Sequence, residues 1–231
     1  MYFYGYDPTI IILIPAMLLA LFAEYKVNMN FKKYSNVQNK RGYTGADIAR
    51  QLLLISGIKD VKVQSIAGNL TDNYNPKEKT LNLSSKVYNS SSLSAIGVAA
   101  HETGHAIQHQ DEYFPLVLRS TLVPLVSFGS KLSMPLIFIG LLFAGSGLFL
   151  LDLGIILFAL VVVFQFITLP VEFNASRRAV NLLTENNFVD SSEIPGIKKV
   201  LGAAALTYVA AMVSSLATLI RYIIIANNRR K

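Results

Sequence analysis

Four long apolar stretches, residues 9–23, 135–151, 153–169 and 201–225, constrain this chain before any single residue does. A helix needs roughly 20 residues to cross the hydrocarbon of a bilayer, and each run comes close to that length. An ordinary soluble domain does not carry so many. Composition agrees, with 52 % hydrophobic residues, 15 % charged residues and a mean hydropathy of +0.44. The chain therefore reads as a mainly α membrane protein with about four transmembrane helices. Its net charge of +7 is spread over loops, which suits lipid headgroups and a topology signal better than nucleic acid.

Taken in order, residues 6–25 are expected to form transmembrane helix 1, kinked at Pro15, with Tyr2, Tyr4 and Tyr6 as an interfacial belt. No Lys or Arg precedes the apolar run, which argues against a cleaved signal peptide. Residues 26–113 read as a small soluble α+β domain. Thr44-Gly45-Ala46-Asp47 resembles a capping box, Ile48, Leu52 and Ile55 give the following helix an apolar face, and Gly57 ends it. Strands are expected over 61–66 and 80–83, with a turn at Asn75-Pro76. The second strand serves either as an edge that pairs with an extended peptide or as an internal strand. A helix over 92–109 follows, capped by Ser91 or Ser92.

Residues 114–133 are apolar but carry Arg119, Pro124 and Lys131, so an interfacial helix is expected there. Residues 134–170 are read as a transmembrane hairpin turning near Asp152 and Gly154. Residues 171–199 would be a short helix and a polar segment, residues 200–225 transmembrane helix 4, and residues 226–231 a basic tail. With four crossings both termini lie opposite the 26–113 domain. Lys26, Lys32, Lys33, Lys40, Arg41, Arg177, Arg178, Lys198 and Lys199 outweigh Arg221 and the tail, which places that domain on the cytoplasmic face.

Within the helix over 92–109 stands His101-Glu102-Thr103-Gly104-His105. Helical positions four apart share a face, so the two imidazoles can meet one metal ion with Glu102 beside them, the HExxH arrangement of zinc proteases. All three histidines of the chain fall within nine consecutive residues, and there is no cysteine, so Zn2+ would have to be held by His and carboxylate. His109 lies about 12 Å along the helix from His101, too far for one ion to reach all three rings. Glu172 emerges from the hairpin on the same side as the histidines and is the leading third ligand, with His109 and Glu185 behind it. Glu102 would accept a proton from a water activated by the metal and pass it to the leaving amine. His109, Tyr88 and Tyr74 are candidates for stabilising the oxyanion, and Ser176, four residues after Glu172, for bracing the site. Arg177 and Arg178 read as headgroup anchors.

The HETGHAIQH block, the block Leu169-Pro170-Val171-Glu172-Phe173-Asn174-Ala175-Ser176-Arg177-Arg178-Ala179 and the stretch Leu70-Thr71-Asp72-Asn73-Tyr74-Asn75-Pro76 resemble the YugP-like family of bacterial membrane zinc metallopeptidases. The resemblance covers most of the chain. It differs at Asn73, where His is usual, and at Asn75 and Asn174, where Asp is usual. It implies a zinc-dependent endopeptidase with a zincin-like, specifically gluzincin-like, catalytic domain at the membrane surface, similar in plan to HtpX-type proteases. It further implies His101, His105 and Glu172 as metal ligands and Glu102 as catalytic base. The expected partners are a protein or peptide substrate and the lipid bilayer of a bacterial cytoplasmic membrane. A zinc-stabilised scaffold that binds without cutting is the rival, but it would not need Glu102. An ion transporter using Glu172 and Asp152 is disfavoured because both fall at membrane boundaries.

Overall fold

A computed structural model describes residues 7–143 and 147–230. The expected Tyr2, Tyr4 and Tyr6 belt and the start of the first crossing at residue 6 lie outside these residues. A 3-10 turn, Pro8–Ile12, leads into α1, Leu13–Ser35. Then come α2, Gly45–Ile55; β1, Lys62–Ile66; β2, Asn73–Asn75; β3, Thr80–Ser84; and α3, Ser85–Tyr88. The chain ends with α4, Leu93–Gln110; α5, Phe114–Leu142; α6, Leu148–Glu185; and α7, Ile194–Arg229. It divides into two units, one made of Glu24–Val117 with Pro170–Leu206, the other of Met1–Ala23, Leu118–Leu169 and Thr207–Lys231.

In the first unit α4 lies between two layers. Ala95, Ala99, Ala106 and Ile107 pack with Leu81, Leu83, Val87, Ala49 and Leu53, while Ile96 and Ala100 pack with Ile48, Leu183, Ile197 and Leu201. A helix covered on both flanks must be apolar and small along most of its surface, which is why the approach to the histidines is so rich in Ala and Gly. Ser92 caps α4 by accepting from the Ala95 amide at 3.3 Å. The capping box of α2 closes in both directions, Thr44 Oγ1 accepting from Asp47 N and Asp47 Oδ2 from Thr44 N.

The sheet has the order β1-β3-β2, with β1 parallel and β2 antiparallel to β3. β3 is thus the central strand and buried along its whole length, which removes the edge reading of residues 80–83. Leu81 and Leu83 face the helices; on the other face Gln64 donates to Asn82 and Asn82 to Asn73, an amide row across all three strands. Strand β2 carries no signal in the sequence, because three polar residues before a turn show no alternation.

A buried carboxylate ties together this unit's two stretches of chain. Glu193, 4 % exposed and just before α7, accepts from Lys40 N at 2.9 Å, Asp190 N at 2.7 Å and Asn39 Nδ2 at 3.3 Å.

Among the described residues four helices are long and apolar enough to cross a membrane: Pro8–Ser35, Phe114–Leu142, Leu148–Glu185 and Ile194–Arg229. Their apolar windows are only 11–22 % buried, so most of that greasy surface faces outward, as a lipid solvent requires. In the second unit α5 and α6 run antiparallel, since Gly140 meets Leu151, Gly154 meets Ile137 and Gly129 meets Leu157. At Gly140 and Gly154 a Cβ would stand within 2.5 and 2.7 Å of the facing helix, so these two glycines let the helices approach closely.

Several expected boundaries change. The interfacial helix over 114–133 and the hairpin over 134–170 are replaced by α5 as one helix through Pro124 and Pro135, followed by α6. Asp152 lies inside α6, paired with Arg230, not at a turn. Breaking a helix in lipid would strand more backbone groups than each proline removes, so prolines are poor boundary markers there. For the same reason the segment over 171–199 is not separate: α6 continues through Pro170 to Glu185, and α7 already begins at Ile194. Helix α1 passes the expected end at residue 25 and reaches Ser35, because the change in polarity ends the apolar stretch but not the helix, and Tyr34 returns to a core. Pro15 sits in its first turn, where no amide hydrogen is needed, and makes no interior break.

Replacing Glu193 by Ala leaves three donors without their acceptor. A loss of about 1–3 kcal/mol is expected, against less than about 0.5 kcal/mol for the exposed Glu185→Ala. Thermal unfolding of both variants in detergent checks the difference.

Candidate metal centre

Residues 101, 102 and 105 lie on α4, and Glu172 and Ser176 lie one turn apart on α6. The two helices touch backbone to backbone: a Cβ on Gly104 would stand 2.7 Å from the carbonyl oxygen of Ala175. Only glycine fits, and the approach it allows brings the next turn of α6, with Glu172, over the histidine face of α4.

Glu172 Oε2 lies 3.3 Å from His101 Nε2 and 3.6 Å from His105 Nε2. The imidazole planes are nearly perpendicular, at 84°, with ring centroids 4.8 Å apart. The carboxylate side chain is 3 % exposed and the imidazoles 14 % and 13 % exposed, so the three groups form a largely dry cluster with an opening on the histidine side. Burial disfavours the charged form of His105, but the hydrogen bond to Glu172 and the charges of Glu102 and Glu172 outweigh it and hold its pKa above the usual histidine value.

This donor set fits a metal ion. One atom from each residue can be chosen so that all lie within 4.8 Å of one another. Ligands at about 2.1 Å from a tetrahedral centre stand about 3.4 Å apart, close to the two spacings from the carboxylate. The far nitrogens are also occupied: His101 Nδ1 is 3.1 Å from Ser176 Oγ and His105 Nδ1 is 3.0 Å from Gln108 Oε1. Such bonds aim the opposite nitrogens at a common point.

The remaining sequence candidates fall elsewhere. His109, exposed and outside the three-residue group, has Nδ1 2.8 Å from the Tyr74 hydroxyl on β2. That pair lines a cleft of about 210 Å³ with Ile58, Lys79 and Ala106. Tyr88 bonds Arg50, whose guanidinium also lies over its ring. Glu185 is exposed at the end of α6. Arg178 is not a headgroup anchor: it pairs with Asp111, lies over the Tyr113 ring and donates to Asn174 Oδ1 at 2.8 Å.

Gln108 was missed by the sequence reading. Fully buried, it donates to Val171 O at 2.8 Å and Asn174 Oδ1 at 2.9 Å, beyond its contact with His105. An amide three residues after one candidate ligand and seven after the other, hence on the same helix face, was the available signal.

Comparison with known proteins gives consistent results. The profile of a family described as "Putative neutral zinc metallopeptidase" matches residues 9–227. The chain is 49 % identical over 221 residues to "Putative membrane protease YugP" of Bacillus subtilis (strain 168), covering 96 % of this chain and 97 % of the relative. No solved structure matches.

Gly104→Ala is expected to cost about 1–3 kcal/mol by forcing α4 and α6 apart. It should lower metal content measured by elemental analysis more than Gly202→Ala, where a Cβ meets nothing within 4 Å.

Proposed function

Because this chain belongs to the family described as putative neutral zinc metallopeptidases, and because His101, His105 and Glu172 converge beside Glu102, we propose that it is a membrane-anchored zinc endopeptidase with a gluzincin-like site. His101, His105 and Glu172 would hold Zn2+, two neutral nitrogens and one carboxylate leaving an open position. When bound, zinc supplies a Lewis acid that makes water nucleophilic and polarises the scissile carbonyl.

The chain's own residues do the rest. Glu102 takes the proton of the attacking water and delivers it to the departing amine. Holding a metal needs only His101, His105 and Glu172 and does not require Glu102, which favours catalysis over a silent scaffold. Glu172, almost fully buried, fixes the charge of the site and cannot swing to solvent. Tyr74 and His109, hydrogen-bonded to each other on the sheet side of α4, line a cleft outside the three-residue cluster, where they would contact a bound peptide.

Helix α4 is not among the four membrane-length helices, so cleavage would take place at the membrane surface. Membrane-associated or misfolded proteins are the substrates this arrangement suits. The basic residues of this unit favour the cytoplasmic face, and a C-terminal reporter should then be found on the opposite side.

The observation that carries the reading is the meeting of Glu172 with both imidazoles. Two variants test it. Glu102→Gln should keep its zinc and lose about 10²- to 10⁴-fold in cleavage of a loosely folded substrate such as casein. Glu172→Gln should instead lower zinc occupancy itself. Equal cleavage by wild type and Glu102→Gln would sink the mechanism, and full zinc retention in Glu172→Gln would remove that residue as a ligand.

A further inference from the structure

We propose that Gln108, itself oriented by Asn174 and Arg178, is a positioning residue that fixes the ring orientation and tautomer of His105, so that its Nε2 meets the metal with the lone pair available. The inference rests on the metallopeptidase reading and extends it to a chain of side chains that touch neither metal nor substrate.

An arginine only donates, so the Asn174 atom 2.8 Å from Arg178 Nε must be the amide oxygen. That same oxygen is 2.9 Å from the Gln108 amide, and the Val171 carbonyl is 2.8 Å from it on another side. Two acceptors converge on one end of Gln108, so that end is the nitrogen. Its oxygen therefore faces His105 Nδ1, at 3.0 Å. An amide oxygen only accepts; Nδ1 must carry the hydrogen, and Nε2, the nitrogen facing Glu172, is the one left to bind an ion. Every link is one-directional, and the chain ends at a guanidinium that Asp111 and the Tyr113 ring hold in place.

His101 is held differently. Its Nδ1 meets the hydroxyl of Ser176, which can donate or accept and so tolerates either tautomer. The two histidines are alike in the motif but not in their support. Gln108 is fully buried, so an orientation error cannot be repaired by water.

The test uses the purified full chain in detergent, with zinc affinity measured by competition against a chromophoric chelator. Gln108→Leu should weaken zinc binding about 10- to 100-fold, the range typical of partners that orient a ligand. Ser176→Ala should weaken it less than Gln108→Leu. Arg178→Met, distant from the ion, should also weaken binding, though less than Gln108→Leu, because the Asn174 amide is then able to turn its nitrogen toward that of Gln108, which the Val171 carbonyl alone would still hold. Adding Asn174→Asp to Arg178→Met should restore affinity to within about threefold of the wild type, since a carboxylate accepts from Gln108 whichever way it is turned. The absorption spectrum of the Co2+-substituted protein should follow the same order. Wild-type affinity in Gln108→Leu would overturn the proposal. So would an Arg178→Met loss that Asn174→Asp does not restore, and this pair still decides the matter if Gln108→Leu does not fold. Failure of the wild type to bind zinc at all would instead bring down the underlying metal site.

Discussion

At Gly104 the backbone of one helix rests on the backbone of another, with no space for a methyl group between them. Much of the site depends on that contact. A histidine pair on one helix face offers two nitrogens, and an isolated helix cannot offer a third group on the same side at the right height. The third has to come from a neighbouring helix, and its reach depends on how closely the two axes approach. Glycine in the middle of HETGH costs helix propensity, about 1 kcal/mol relative to alanine. It stands at a position where a larger residue would hold the carboxylate of Glu172 away from the imidazoles.

The same compactness explains the surroundings of α4. Its flanks are lined by Ala95, Ala99, Ala100 and Ala106, small enough to let a sheet on one side and two helices on the other close in. Those neighbours exclude water from Gln108 and Glu172, and exclusion makes the polar links between them directional and strong. Apolar packing and the polar chain to Arg178 are two parts of one arrangement. Removing water gives the hydrogen bonds their strength, and the bonds allow amides and a carboxylate to be buried.

What the sequence revealed follows from how local each signal is. The spacing of His101 and His105 and the capping box at Thr44 depend on neighbours within one or two helical turns, and both are legible by inspection. The apolar runs were legible as membrane-length segments, but their ends were not: Pro124, Pro135 and Pro170 stay inside helices, and Asp152, read as a turn, pairs with Arg230 from within α6. The position of β3 at the centre of the sheet depends on β2, three residues whose pairing is decided by tertiary contact. The chain from Arg178 to His105 joins residues some 70 positions apart, so single-sequence reading assigned Arg178 to lipid and passed over Gln108.

The unit that holds the histidines is built from two separated stretches, Glu24–Val117 and Pro170–Leu206. A ribosome delivers the first well before the second, with more than fifty residues of apolar chain in between. A nascent chain that has reached Val117 owns both imidazoles but not Glu172, Ser176 or Asn174, and its α4 lacks the apolar cover that Leu183, Ile197 and Leu201 supply. The order of synthesis thus acts as a timer: the three-residue cluster can assemble only after the helices on either side of that gap have been made, and a truncated product carries the motif without the site.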